Sequence, residues 1–128
     1  MLLDMSKRKK EREREERIAA EAIVDAYGPE EQAMGWYYYL EDRIRFPFTA
    51  VCTGGRAISP LRKGDQAEVI GMAPEDECRH EMFVSLPFGS DRLAVPLSQL
   101  APIGATDEDT VEAIEDWHYW VAMGYTFG

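Results

Sequence analysis

Six carboxylates fall within ten residues, at Asp107, Glu108, Asp109, Glu112, Glu115 and Asp116, and no lysine or arginine follows Arg92. Like charges at that spacing repel, so water and salt or a bound cation must offset them. Asp107–Asp109 read as the first turn of a helix, where the helix dipole stabilises an acid by roughly 0.3–1 kcal/mol. The dipole does not account for Glu112, Glu115 and Asp116. Glu108 and Glu112 are spaced i,i+4, as are Glu112 and Asp116, and no basic residue in the segment relieves these pairs. A second group, Glu41 and Asp42, lies near the C-terminal end of a predicted helix, where the dipole is already negative. The neighbouring Arg43 and Arg45 offer one compensation. A hard cation held by the carboxylates and the free carbonyls of the helix end offers another. A third group, Glu75-Asp76-Glu77, joins two predicted strands, with Glu81 beyond. It reads either as a solvated loop or as further ligands.

The donor types select the cation. Carboxylate and carbonyl oxygens without imidazole or thiolate favour calcium or magnesium over zinc or copper. Calcium takes about 6–8 oxygens at roughly 2.3–2.6 Å in irregular geometry, which suits acids gathered from separate elements. The candidate metal ligands are therefore Glu41, Asp42, Glu75, Asp76, Glu77, Asp107, Glu108, Glu112, Glu115 and Asp116. No EF-hand is present: counting from Asp107, Asp109 suits the third position, but Val111 falls at the fifth and His118 at the twelfth, where Glu is needed. A site assembled from surface charge implies modest affinity. Cys78-Arg79-His80 has no second Cys/His pair at zinc spacing, and Cys52 reads as a small buried hydrophobe. His80, His118, Ser85, Ser90 and Ser98 stand in no nucleophile motif, and Gly54-Gly55 is a turn rather than a phosphate cradle. No enzyme is expected.

The 128 residues suffice for one domain with a core, and the net charge is −10. Residues 1–17 carry +2 and residues 18–128 carry −12. So acidic a body repels phosphate backbones and excludes nucleic acid as its partner, while attracting cations and basic proteins. No stretch approaches the roughly 20 apolar residues of a membrane helix, and charge follows the short apolar start in the wrong order for a secretory signal. The expectation is a soluble, cytoplasmic protein with no membrane partner.

The elements that position the acids follow from periodicity. Residues 6–27 read as a helix ended by Gly28, with Glu13–Arg17 and Lys9–Glu13 as i,i+4 pairs and a solvated first half. Residues 1–17 form a charged helical arm and 18–128 the domain. Pro29 opens a second helix running to about Arg43, with Ala33, Trp36, Tyr37, Leu40 and Ile44 on one face. Of Tyr38 and Tyr39, only one can face the core. Strands are predicted at 48–53, 66–73, 81–89 and 92–100, with a short fifth at 101–103 and a turn at Gly89-Ser90-Asp91. Pro87 and Pro96 imply edge or bulge positions. Thr106 caps a last helix that presents Val111, Ile114, Trp117 and Val121 and ends at Gly124. The expected fold is α+β: a small SH3-like or Sm-like β-barrel, or a curled antiparallel sheet, with two N-terminal helices and one C-terminal helix packed over one side.

Four segments carry a resemblance: EEQAMGWYYYLEDRIRFPFTA (30–50), GDQAEVIGMAPEDECRHEMFV (64–84), AVPLSQLAPI (94–103) and IEDWHYWVAMGY (114–125). Their aromatic strings, Trp36-Tyr37-Tyr38-Tyr39 and Trp117-His118-Tyr119-Trp120, are distinctive. Together they resemble the cyanobacterial-type calcium-binding protein family known as CcbP. The resemblance implies an acidic protein that binds Ca2+ through surface carboxylates and takes part in calcium homeostasis. Glu41, Asp42, Glu75, Asp76, Glu77, Glu115 and Asp116 fall inside the matching segments, with Asp42 the first choice as ligand. Two functions are carried forward: a calcium buffer or sensor, and an SH3-like interaction adaptor whose acidic face docks a basic protein partner without metal.

Overall fold

The computed structural model describes residues 10–104 and 106–128. The first α-helix, α1, spans Arg12–Arg17 and passes into a π-helical turn at Ile18–Ala22 that buries Ile18 and Ala22. The helix expected over 6–27 therefore stops short, and its first four residues lie outside the described residues. It ends because Ile23 leaves helical geometry and Asp25 takes a left-handed conformation, φ 56°. A short side chain that can bond locally tolerates that conformation better than most. Gly28, expected to end this helix, instead precedes the next one as its N-cap.

Helix α2 spans Pro29–Arg43. Ala33, Trp36, Tyr37, Leu40 and Ile44 are all buried, as their spacing predicts. Tyr39 is buried too, while Tyr38 points outward with 52% of its surface exposed. Helix α3 spans Glu108–Ala122 and packs on α2 through Trp36 and Trp117, whose ring centroids lie 5.0 Å apart, edge to face. Trp120 completes the aromatic group, 5.6 Å from Trp36. Such edge-to-face contacts add roughly 0.5–1.5 kcal/mol per pair beyond the area they bury.

The strands are β1 (Phe48–Cys52), β2 (Gln66–Val69), β3 (Gly71–Met72), β4 (Phe83–Phe88), β5 (Asp91–Pro96) and β6 (Leu100–Pro102). They do not close into a barrel. They form two three-stranded antiparallel sheets, ordered β2-β1-β6 and β3-β4-β5. The run expected as one strand over 66–73 divides at Ile70. Its first half pairs with β1, from Phe48↔Val69 to Val51↔Gln66, and its second with β4, at Gly71↔Ser85 and Met72↔Val84. The Ile70 amide donates to the Ser85 carbonyl at 2.9 Å, so the chain turns the corner between the sheets without losing that bond.

The tight turn sits at Gly89-Ser90, between the paired residues Phe88 and Asp91, with Gly89 at φ 62°. Pro87 lies in the central strand of its sheet, yet β3 has already ended at the pair Gly71↔Ser85, so no ladder bond is lost on that side. The helices are tied to the sheets by polar contacts. The Tyr37 hydroxyl donates to the Ala73 carbonyl at 2.7 Å, and His118 Nε2 lies 3.2 Å from the Leu97 carbonyl oxygen. Among the described residues no helix is long and apolar enough to cross a membrane.

Candidate functional site

The carboxylates of α3 are not left to repel one another. Arginines from elsewhere in the chain meet them. Asp116 is completely buried, and Arg17 grips it with two bonds, Nε to Oδ2 at 2.9 Å and Nη2 to Oδ1 at 2.7 Å. Arg14 Nη1 adds a third at 2.7 Å, and the Tyr39 hydroxyl donates a fourth at 2.6 Å. Glu112 lies between Arg17, at 3.6 Å, and Arg43, at 3.9 Å. Glu115 lies 4.0 Å from Arg14. The hydrogen bond to Asp116 is the main reason that Arg17 holds its proton more tightly than a free guanidinium. Burial, then the bond to Asp116, raises the Tyr39 phenol above its ordinary value. A fully hydrogen-bonded buried acid of this kind serves structure first.

This arrangement corrects two expectations. The first half of the arm is not simply solvated: the Arg14 and Arg17 side chains are only 16% and 20% exposed. Arg17 bonds to Asp116 rather than to Glu13, and the local pairs that do form are Arg12–Glu16 at 3.3 Å and Arg14–Glu11 at 3.1 Å. Lys9 lies outside the described residues.

At the start of α3 the cap is Asp107, one residue later than Thr106. Asp107 Oδ1 accepts from the Thr110 backbone N–H at 2.9 Å, and Oδ2 from the Thr110 hydroxyl at 2.9 Å. Those two bonds, the backbone one first, hold its carboxyl below the usual range. Arg45 Nε lies 3.8 Å from Oδ2. Glu108 and Asp109 are exposed in the first turn.

Glu41 and Asp42 differ from the α3 acids. Both are exposed, and among the described residues neither forms an ion pair. Arg43 pairs with Glu21 and lies 3.9 Å from Glu112, and Arg45 lies 3.8 Å from Asp107. The two acids line a groove of about 650 Å³ between α2, which also supplies Gly35, Tyr38, Tyr39 and Arg43, and a wall of Glu21, Ala22 and Val24. Gly35 explains how that wall comes so close. A Cβ at this position would stand 2.2 Å from the Ala22 carbonyl oxygen, so only glycine lets the π-helical turn lie against α2.

Glu75, Asp76 and Glu77 form a short 3-10 turn, Glu75–Cys78, that leaves all three acids exposed. Glu75 Oε2 accepts from the Tyr38 hydroxyl at 3.0 Å. That bond is the chief reason the Tyr38 phenol is pushed up, with Glu41 adding to it. Burial, then the charges of Glu41, Cys78 and Glu75, push Tyr37 up to about 12. Glu41 and Glu75 thus act on the same pair of phenols. Sequence reasoning missed Glu21, which lies in an alanine-rich stretch with no acidic neighbour to draw notice. It also missed the role of Arg14 and Arg17.

The groove holds the carboxylates of Glu41 and Asp42, oxygen donors suited to a hard cation, beside a third, Glu21, that the Arg43 guanidinium already pairs. Among the described residues no three acidic, cysteine or histidine side chains already converge on one metal position. Calcium accepts water and carbonyl oxygens beside carboxylates, and the last carbonyls of α2 have no partner within the helix. The residues present therefore fit the ion by chemistry rather than as a finished cage.

Exposed carboxylates at the negative end of a helix, on an acidic α+β protein, set up a field that attracts cations. A family model described as calcium binding, that of the CcbP proteins, matches residues 16–121, and the chain belongs to this family. Two solved structures are similar. The crystal structure of Anabaena CcbP shares 44% identity at a TM-score of 0.83, covering 96% of this chain and all of that one. A calcium-binding protein in its calcium-binding form shares 41% identity at a TM-score of 0.79, covering 96% of this chain and 98% of that one. No curated protein matches.

Proposed function

We propose that this chain binds calcium at the groove beside the C-terminal end of α2, through Glu41 and Asp42. Glu75 and its neighbours Asp76 and Glu77 extend the negative field across Tyr38. The reading rests on one observation above the others: Glu41 and Asp42 stand where the helix dipole disfavours them, and Arg43 and Arg45 turn to other partners. A divalent cation relieves both problems at once. The family to which the chain belongs, and the calcium-binding form of a protein 41% identical to it, support the same ion.

The remaining candidates rank lower on their surroundings. Glu112, Glu115 and Asp116 already have arginines, and Asp107 caps its helix. Glu108 remains an exposed carboxylate suited to weaker, outer binding. Coordination at the α2 groove takes additional oxygens from water or main-chain carbonyls, which makes for modest affinity. Modest affinity without an EF-hand suits a buffer or a sensor.

Calorimetric titration tests this. Calcium gives a binding heat that Asp42→Asn abolishes and Glu41→Gln weakens, while Glu115→Gln leaves it nearly unchanged. If calcium and magnesium give the same negligible heat, the calcium reading fails and an acidic docking face for a basic protein is favoured.

A further inference from the structure

The geometry points to Asp116 as a positioning residue for the calcium groove: by holding the arm through Arg14 and Arg17 it fixes the groove wall that carries Glu21, so calcium binding and arm docking stabilise each other. This inference rests on the calcium reading of the groove and adds a means of control.

The chain of contacts is continuous. Asp116 lies on α3 and is buried. Its carboxylate takes three bonds from Arg14 and Arg17, both on α1, at 2.7, 2.9 and 2.7 Å. Helix α1 runs without a break into the π-helical turn Ile18–Ala22, which supplies Glu21 and Ala22 to the groove, and Val24 follows closely. The other wall is α2, carrying Glu41 and Asp42. Thus one wall belongs to α2, and the other to the turn that continues directly from the arm and must dock to complete the groove.

Burial of Ile18 and Ala22 in the core holds the arm and the turn that follows it, and polar contacts add to that hold. The arginines grip Asp116, the Tyr125 hydroxyl donates to Glu15 at 2.7 Å, and the Ala22 carbonyl rests on Gly35. Arg43 spans the join: it pairs with Glu21 in the groove and lies 3.9 Å from Glu112 on α3. The Tyr39 hydroxyl bonds to Asp116 while its ring lines the groove, and the Arg43 guanidinium sits 4.7 Å from that ring. A ligand that prefers the complete groove must favour the docked arm, and by linkage a docked arm must favour the ligand to the same degree.

The test has two measurements. In the unmutated chain, limited trypsin cleavage after Arg17 reports arm release, and cleavage after Lys63 in an exposed loop serves as control. Calcium should slow the first on the order of tenfold and leave the second unchanged. In the combined variant Arg14→Gln, Arg17→Gln, Asp116→Asn, which removes the latch without stranding a buried charge, the calcium dissociation constant should rise by a similar factor with the circular dichroism retained. Unchanged affinity in a folded latch variant overturns the inference, and so does cleavage after Arg17 that ignores calcium. Should the variant fail to fold, the cleavage result on the unmutated chain decides alone. If instead the unmutated chain binds no calcium, or Asp42→Asn binds it as well as the unmutated chain does, the functional reading falls and takes the coupling with it.

Discussion

Asp116 and Arg17 are joined by two hydrogen bonds, at 2.9 and 2.7 Å, although 99 residues separate them in the chain. The carboxylate is fully buried and its partner largely so, which makes this pair a buried polar tie between the arm and the body, beside the apolar contacts of Ile18 and Ala22. Removing one side of such a pair leaves the other charged and unsolvated, at a cost of roughly 3–5 kcal/mol. Asp116→Ala should therefore lower unfolding stability by about that amount in a urea titration. The combined neutral variant Arg14→Gln, Arg17→Gln, Asp116→Asn should lose much less, because no ion is stranded. Equal losses in the two proteins would show that packing, not charge, holds the arm.

Gly35→Ala sets two effects against each other. In a helix interior alanine is favoured over glycine by about 0.8–1.0 kcal/mol. Here its Cβ would meet the Ala22 carbonyl oxygen at 2.2 Å, a contact with main chain that no rotamer relieves. The collision should win. The expected variant is destabilised, with faster hydrogen exchange in residues 18–24 than in α3. A gain in stability would mean that the turn yields without loss.

Calcium should raise the melting temperature by mass action if it binds only the folded chain. At free calcium about 100 times the dissociation constant, the gain is about 2.7 kcal/mol. Sodium chloride at equal ionic strength should do less, since it only screens exposed charge. Differential scanning calorimetry with the two salts separates a specific site from general screening, and equal protection would remove the case for a site.

The phenols of α2 supply a spectroscopic report. Tyr37 is pushed up to about 12 by burial and then by Glu41, and Tyr38 is raised chiefly by its bond to Glu75. Negative neighbours favour the neutral phenol, and a divalent cation beside them reverses part of that preference. Calcium should thus lower the alkaline midpoint of tyrosine ionisation, followed by ultraviolet absorbance, and Glu41→Gln should lower it without calcium. A midpoint that calcium leaves in place would locate the ion away from α2.

Asp107 predicts an acid-side dependence. Its folded carboxyl lies below the ordinary value because the Thr110 N–H and hydroxyl favour the ionised form. A group depressed in the fold contributes stability above its unfolded pKa, about 3.9, and loses that contribution as pH falls through the folded value. The stability difference between the unmutated chain and Asp107→Ala should therefore be full at neutral pH and shrink steadily below the usual carboxylate range. A difference that stays constant on acidification would show that the cap does not depend on the ionised carboxylate.

The elements were legible from the sequence because their signals are local. Pro29 and the spacing of Ala33, Trp36, Tyr37, Leu40 and Ile44 define α2, and five residues of alternating burial define β1. So was the ion: acids without matching bases, together with the aromatic strings, mark the calcium-binding family to which the chain belongs. Whether the strands close or divide depended on Ile70, whose amide turns to Ser85, and period-two patterning does not encode that bend. The sorting of the acids was decided only in three dimensions. Asp116 and Asp42 have the same charge and similar sequence surroundings, yet one is sealed between two arginines and the other is left facing a groove. Charge pairing acts over a few ångströms of space and is blind to distance along the chain, so Arg14 and Arg17 neutralise acids some hundred positions away while Arg43 passes over its own neighbour.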